Sequence, residues 1–262
     1  MFSIVMLVAF LSFNSCCLNA CQSQNQKFEY EQGAIVRGDK SKKEIALVFT
    51  GGDFADGGRH ILSVLDQQHI KASFFFTGDF YANLANKDLI ESLVSNKHYL
   101  GAHSDKHLLY CDWNKRDSLL VTKKQFTKDL KANYAKMKEF GISKDEAVYF
   151  LPPYEWYNDS ISSWTKVMGL QLVNLTRGTL SHADYTVPDA KAYRSSQEIY
   201  QSIINYEKNR ESGLNGFILL SHIGTHPDRT DKFYDRLDTL IGALKNKGYE
   251  FKKIDILLKN HQ

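Results

Sequence analysis

Apolar residues along this chain fall into short continuous runs that alternate with longer stretches of mixed apolar and polar positions. A continuous apolar run is typical of a strand buried on both faces, whereas apolar residues three and four apart are typical of one helix face. The runs predict strands at residues 45–49, 72–76, 99–102, 148–151, 170–175, 217–220 and 249–257. The mixed stretches predict helices at residues 60–68, 84–93, 126–140, 195–207 and 230–247.

The alternation of these elements predicts an α/β fold with a largely parallel sheet. About seven strand–helix units favour an α/β barrel, although alternation alone also fits an open doubly wound sheet. From Phe28 onward the sequence shows no repeat, low-complexity tract or shift of composition. We therefore expect one barrel domain over residues 45–262.

The N-terminal segment differs from the rest of the chain. Residues 1–20 contain no charged side chain, and the apolar run at 4–13 is the length of a signal-peptide core rather than of a membrane span. A small residue, Ala20, precedes Cys21, as in bacterial lipoprotein signals. We expect a leader at 1–20, a tether and lead-in segment at 21–44, export to the cell envelope, and membrane contact only through a lipid on Cys21. A plain cleaved signal is the alternative.

The charge pattern of the chain argues against nucleic acid as a partner. The formal net charge is only +3 and lysines are interspersed with acidic residues, so no basic run of the kind that binds nucleic acid is present.

The cysteine content argues against an internal disulfide. If the leader is removed and Cys21 is acylated, Cys111 is the only free thiol. No internal disulfide is then expected, and a hydrophobic core has to stabilise the domain.

Polar residues follow three of the predicted strands, where the carboxyl ends of barrel strands converge on one face. Asp53 follows the first strand, His103 and His107 the third, and His222 a later one. Two histidines four residues apart reach one metal ion if the chain makes a helical turn between them, and a carboxylate from the first loop would be the third ligand of a zinc site. His222 is then a candidate proton donor. The alternatives are a surface histidine pair and a structural His222.

Several motifs, taken in order, resemble the polysaccharide deacetylases of carbohydrate esterase family 4, also called the NodB-homology family. Residues 61–75 are similar to that family's helix-and-strand segment, and residues 103–107 to its H-S-x-x-H metal motif. Residues 151–154 match its R-P-P-Y segment apart from the arginine, and 219–222 match its final L-x-H. The resemblance implies a distorted (β/α)7 barrel, a divalent metal ion, with zinc expected, and removal of acetyl groups from an acetylated carbohydrate.

The first motif of the family, T-F-D-D-G, is altered here. Its base and its metal-binding aspartate correspond to Thr50 and Gly51, and neither residue has the required carboxylate. Asp53, two residues further on, is therefore our candidate for the third metal ligand and for a catalytic carboxylate. A shifted register makes Asp56 the ligand and places Ala55 where the base would be.

The third motif is altered as well. Leu151 replaces the arginine that orients the base, and loss of both partners together is coherent because an unpaired buried cation is costly. Glu155 is a candidate replacement base or a ligand for a sugar hydroxyl, and Asp105 is a further candidate base. Tyr154 and Trp156 are candidate substrate contacts, with the backbone N–H of Tyr154 as an oxyanion donor. Ordinary loop packing explains these residues equally well.

The sequence thus predicts an exported metal-dependent deacetylase that removes N- or O-acetyl groups from a poly- or oligosaccharide. His103, His107 and Asp53 would hold the metal, and His222, Glu155 and Asp53 would act in catalysis. The alternative is a catalytically silent sugar-binding lipoprotein on the same barrel. A hydrolase of another acyl or amide bond is a third possibility.

Overall fold

The computed structural model describes residues 27–259, so the predicted leader and Cys21 lie outside the described residues. It opens with a two-stranded antiparallel hairpin, β1 (Glu29–Glu31) and β2 (Ala34–Arg37). Within the described range no helix is long and apolar enough to cross a membrane.

A seven-stranded parallel sheet forms the centre of the domain. Its strands are β3 (Glu44–Gly51), β4 (Ser73–Phe76), β5 (Tyr99–Ala102), β6 (Tyr149–Phe150), β7 (Gln171–Leu172), β8 (Phe217–His222) and β9 (Glu250–Phe251). They are ordered β7-β6-β5-β4-β3-β8, and β9 pairs with the start of β3. Buried side chains fill both faces of β3, as expected for a strand inside a parallel sheet.

Helices surround this sheet. They are α1 (Gly58–Gln67), α2 (Gly78–Ala82), α3 (Lys87–Ser95), α4 (Lys123–Glu139), α5 (Asp159–Val167), α6 (Ser196–Asn209), α7 (Leu237–Asn246) and α8 (Ile254–Leu257). Thr122 and Ser195 begin α4 and α6 with capping boxes, in which the cap side chain and a residue three positions on satisfy each other's backbone N–H groups.

The N-terminal hairpin bridges the two outer strands of the curled sheet. Ile35 pairs with Val173 just after β7, and Thr176 donates from its backbone to Ile218 of β8 (3.0 Å) and from its hydroxyl to the carbonyl of Val36 (2.5 Å). Residues ahead of position 45 thus take part in the barrel. The curled parallel sheet with its outer helices confirms the predicted single-domain, distorted α/β barrel.

The last predicted strand is wrong over most of its length. Only Glu250–Phe251 is a strand, and Ile254–Leu257 forms a helix. Ile254, Leu257 and Leu258 are buried in the cluster that fills the barrel interior. Their spacing of three and four residues places them on one face of a helical turn. Packing of this face against the barrel interior therefore favours a helix over the strand that the apolar run predicts.

Candidate functional site

A cleft of about 930 Å³ opens at the carboxyl ends of the parallel strands. Alternate residues of β3 and β8 point into the barrel interior, and Thr50 and His222 are the last of these on paired strands. The predicted site residues that line this cleft are Asp53, His103, His107, Tyr154, Glu155, Trp156 and His222. The cleft therefore brings together the side chains singled out from the sequence.

His103 is held in one orientation by the end of a neighbouring strand. Its Nδ1 donates to the carbonyl of Leu151 (2.8 Å), and its backbone N–H donates to Oδ1 of Asn133 (2.9 Å). Because that carbonyl can only accept, Nδ1 carries the proton and Nε2 keeps its lone pair. Burial and the neighbouring His107 hold the pKa of His103 well below its usual range, although the Leu151 bond opposes them. A neutral imidazole oriented in this way is suited to metal binding.

His107 faces His103, with 5.1 Å between the ring centroids. The chain between them does not form the expected helical turn, since Ser104 (φ 71°) and His107 (φ 51°) are both left-handed. Burial and repulsion from His222 lower the pKa of His107 to about 4, against a raising effect of Asp53. The two histidines thus meet as predicted, through a tight irregular loop instead of a helix.

The loop carrying the two histidines is fastened to α4 by Asp129, which sequence reasoning missed. Its buried carboxylate accepts from the hydroxyl of Ser104 (2.7 Å), the backbone N–H groups of Lys106 (3.0 Å) and Asp105 (3.1 Å), and the hydroxyl of Tyr110 (3.2 Å). The available signal was an aspartate on the apolar face of a lysine-rich helix. Asp105 itself points away from the cleft and lies 2.7 Å from Nζ of Lys136.

The first loop brings an acidic residue to the cleft without completing a ligand set. Over residues 27–259, no three histidine, cysteine or acidic side chains are close enough together to hold a metal ion. Asp53 is exposed at the cleft. Asp56 lies elsewhere, accepting from the backbone of Thr225 (2.7 Å), the hydroxyl of Tyr234 (2.7 Å) and Nζ of Lys232 (2.8 Å). The neutral, oriented histidine pair suits a divalent ion, and Asp53 is the acidic residue of the first loop that lines the same cleft.

The two altered family positions differ in their surroundings. Gly51 faces the helix layer, where an added Cβ would lie 2.8 Å from Ile223, 2.9 Å from Phe76 and 3.0 Å from Phe80. Thr50 faces the cleft, and its buried hydroxyl has no hydrogen-bond partner among the described residues. Leu151, in the place of the arginine, is fully buried in the apolar barrel interior. No acidic group therefore occupies the family's base position.

His222 is paired with Asp184, which had no signal in the sequence. Nδ1 of His222 donates to Oδ1 of Asp184 (2.6 Å), and the backbone N–H of His222 donates to Oδ2 (2.9 Å). Burial lowers the pKa of His222, but Asp184 and then Glu155 outweigh it, and the pKa is raised above its usual value. Since Nδ1 is bonded, Nε2 is the atom left to donate a proton into the cleft.

Glu155 reaches the cleft through two consecutive left-handed residues, Tyr154 (φ 58°) and Glu155 itself (φ 52°). Its backbone carbonyl accepts from the side-chain amide of Asn174 (2.9 Å), which fixes this turn. Burial raises the pKa of Glu155 to about 7, with His222 lowering it and Asp184 raising it. Such a pKa suits a group that exchanges protons near neutral pH.

Aromatic side chains form one wall of the cleft. The indole N–H of Trp156 donates to the carbonyl of Asp112 (3.2 Å), and its ring lies between the guanidinium of Arg116 (4.5 Å) and the stacked ring of Trp113 (5.7 Å). Trp156 is thus largely enclosed. Trp113, which was not predicted, is 53% exposed, and Tyr154 is 44% exposed. These two rings are therefore accessible to a ligand on this wall of the cleft.

Comparisons with known proteins relate this chain to one family and one fold. The family model for polysaccharide deacetylase matches residues 37–173. An uncharacterised 30.6 kDa protein of Geobacillus stearothermophilus is 29% identical over 86% of this chain and 75% of its own length. The peptidoglycan-N-acetylmuramic acid deacetylase PdaA of Bacillus subtilis is 24% identical over the same shares. In its solved structure, PdaA is 24% identical with a TM-score of 0.67, covering 86% of this chain and 85% of the other.

A solved pseudoenzyme of carbohydrate esterase family 4 from Bacillus anthracis has the same fold. Its TM-score is 0.67 at 19% identity, with 88% of this chain and 70% of the other covered. The resemblance read from the motifs is therefore confirmed. The chain belongs to the polysaccharide deacetylases, the NodB-homology proteins of carbohydrate esterase family 4.

Proposed function

We propose that this protein is an exported, metal-dependent carbohydrate deacetylase that hydrolyses N- or O-acetyl groups on a poly- or oligosaccharide. The observation that carries the proposal is the pairing of His222 with Asp184 in the cleft that also holds Glu155 and the His103–His107 pair. A proton donor, a proton acceptor and two neutral metal ligands in one cleft are the groups that hydrolysis of an acetyl group needs.

The metal would be held by His103, His107 and Asp53, and zinc is the expected ion because it favours imidazole and carboxylate ligands. A bound divalent ion polarises an acetyl carbonyl and lowers the pKa of a water molecule. Both imidazoles are kept neutral by burial, so they need not lose a proton before binding.

The other side chains then have separate roles. Glu155, with its pKa near 7, accepts the proton of the attacking water. His222 donates a proton from Nε2 to the departing sugar nitrogen or oxygen, and Asp184 holds the imidazole in the correct tautomer. The ring of Tyr154 lies 4.3 Å from that of His107, which puts this residue next to the metal site, and its backbone N–H is the proposed donor to the developing oxyanion.

A catalytically silent sugar-binding protein is the second candidate. It is favoured by the environment of Thr50 and Gly51, where no carboxylate is present and apolar side chains surround the glycine. Its binding surface would be the exposed rings of Trp113 and Tyr154, since aromatic faces pack well against sugar rings.

Acetate release separates the two candidates. Acetylated chitooligosaccharides, xylan and peptidoglycan fragments would be incubated with metal-loaded wild type, and binding of the same ligands would be measured by calorimetry. The deacetylase proposal expects acetate from at least one substrate. Sugar binding without acetate from any of them would support the silent binder. Acetate released only from an acetylated non-sugar ester or amide, assayed in parallel, would support a different hydrolase.

The cellular location of the protein is proposed from the sequence alone, because the predicted leader lies outside the described residues. We propose cleavage before Cys21 and acylation of its thiol. Mass spectrometry of the mature N-terminus should then show a diacylglyceryl-modified cysteine. An unmodified N-terminus elsewhere would contradict the lipid anchor, and an intact Met1 would contradict export.

A further inference from the structure

An arginine that has no role in the proposed reaction lines the cleft. Arg177 follows β7, and the residue before it is fixed between two strands by the hydrogen bonds of Thr176 to Ile218 and Val36. The guanidinium therefore extends from a backbone position that belongs to the barrel wall. Such a position holds a binding group more accurately than a loosely packed loop does.

Most of this guanidinium is not engaged by the protein. Nε of Arg177 lies 3.7 Å from Oε2 of Glu31, and the side chain is 53% exposed. In the described part of the chain, neither terminal nitrogen makes a hydrogen bond. Two parallel N–H groups are thus available to a ligand, and this fork matches the two oxygens of a carboxylate.

The charge balance around Arg177 leaves it uncompensated. Glu31 is shared with Arg116, whose Nη1 lies 2.8 Å from Oε1. Arg116 is only 21% exposed, donates from Nε to the carbonyl of Tyr157 (2.6 Å) and covers the ring of Trp156. One carboxylate between two guanidiniums leaves one positive charge, and because Arg116 is enclosed, the exposed Arg177 presents it.

The acids on the same side of the cleft do little to neutralise this charge. Asp184 is already bonded to His222 through both carboxylate oxygens. Burial of Glu155 keeps a large part of that carboxyl protonated near neutral pH, since its pKa is raised to about 7. An anion is therefore attracted to this wall of the cleft.

We propose that the cleft binds an anionic saccharide and that Arg177 pairs with a carboxylate on the sugar, so that the substrate class is an acidic glycan. This inference rests on the proposed carbohydrate specificity of the cleft. The exposed ring of Trp113 provides a stacking surface in the same cleft, and Arg177 determines the preference for acidic over neutral sugars.

The main comparison in the test is between two ligands that differ only at the carboxyl group. Metal-loaded full-length protein would be titrated by calorimetry with an N-acetylated tetrasaccharide that bears lactyl carboxylates and with the same tetrasaccharide after reduction of each carboxyl to an alcohol. A hydrogen-bonded charge pair of about 1.5–3 kcal/mol corresponds to roughly 10- to 160-fold tighter binding of the carboxylated form. A 6-phosphorylated chitotetraose distinguishes a preference for phosphate from one for carboxylate.

Variants assign the preference to this residue. Arg177→Gln should bind the two tetrasaccharides equally. Arg177→Lys should keep part of the preference for the carboxylated form, because lysine retains the positive charge but lacks the two parallel N–H groups of the guanidinium. Arg59→Gln, at an exposed arginine of α1 outside the cleft, is the control and should behave as wild type. Folding of each variant would be checked by thermal unfolding.

Equal binding of both tetrasaccharides by wild type, or a preference that survives in Arg177→Gln, would overturn the inference. Tighter binding of the phosphorylated ligand than of the carboxylated one would overturn the choice of carboxylate. Absence of binding to any saccharide would instead reject the proposed carbohydrate function, and the inference with it.

Discussion

His222 and Asp184 are joined by two hydrogen bonds, one from the backbone N–H of the histidine and one from its ring nitrogen, each to a different oxygen of the same carboxylate. The first bond fixes Asp184 relative to the end of β8, and the second fixes the imidazole relative to Asp184. The ring is thereby held in one tautomer and one orientation.

Replacing the proposed proton donor should lower the deacetylation rate without changing the metal content. His222→Ala is expected to lower deacetylation by roughly 10²- to 10⁴-fold, the usual contribution of general acid catalysis, with metal content unchanged. Asp184→Asn should lower the rate as well, because an amide cannot stabilise the protonated ring. Steady-state acetate release and metal analysis measure both effects. Loss of metal in His222→Ala would show that this histidine is a ligand instead.

The metal site should depend on the histidine pair. Purified wild type is expected to hold roughly one divalent ion per chain, and His103→Ala and His107→Ala should each lose it. Asp53→Ala should weaken metal binding, since Asp53 is the proposed third ligand. Elemental analysis after dialysis measures occupancy. His69→Asn, at an exposed histidine, is the control, and full occupancy in His103→Ala would refute the assignment.

Glu155 should make stability fall as pH rises. Burial raises its pKa from the ordinary 4.5 to about 7, so between these values the folded state holds a proton that the unfolded state releases. Stability from this group is therefore lost as pH rises through that window. Glu155→Gln should raise Tm at pH 8 and change it much less at pH 5.

Calorimetry of both proteins with a chelator present measures this difference. Glu139→Gln, at an exposed glutamate that ends α4, should leave Tm unchanged at both pH values. A Tm gain for Glu155→Gln that is the same at pH 5 and pH 8 would mean that the carboxyl is not protonated in the folded protein.

Asp129 should support both the fold and the metal site. Asp129→Ala leaves several buried donors of the histidine loop without an acceptor, at a cost of about 1–3 kcal/mol for each group that water cannot reach. We expect a lower free energy of unfolding in urea and weaker metal binding. Asp88→Asn, at an exposed position of α3, is the control. Unchanged metal affinity in Asp129→Ala would show that the loop keeps its shape without this support.

The sequence predicted the parts of this protein that depend on local pattern. The core strands β3, β4, β5 and β8 were visible as continuous apolar runs, and the histidines that follow two of them were visible as their continuation. Because parallel strands end on one face, their placement in a common cleft followed from the strand order alone.

The supporting residues could not be predicted in this way. Asp184 lies in the long irregular segment between β7 and α6, where no periodicity relates a residue to the barrel. Asp129 and Asn133 are polar positions on the apolar face of α4, and only the packed structure shows that their side chains accept from the histidine loop. The shape of the histidine loop depends on two non-glycine residues with left-handed backbone conformation, Ser104 and His107. The conformational preferences of serine and histidine do not predict this conformation.

The packing around Gly51 has a consequence for how this site could change over time. Phe76, Phe80 and Ile223 occupy the space that a side chain at position 51 would need, so an aspartate there would require several neighbours to shrink together. Each single step along that route either overpacks the helix layer or leaves a cavity in it. A single Gly51→Asp substitution would therefore overpack Phe76, Phe80 and Ile223, so a carboxylate for the proposed metal site is more easily supplied from the loop beyond the strand, where Asp53 lies.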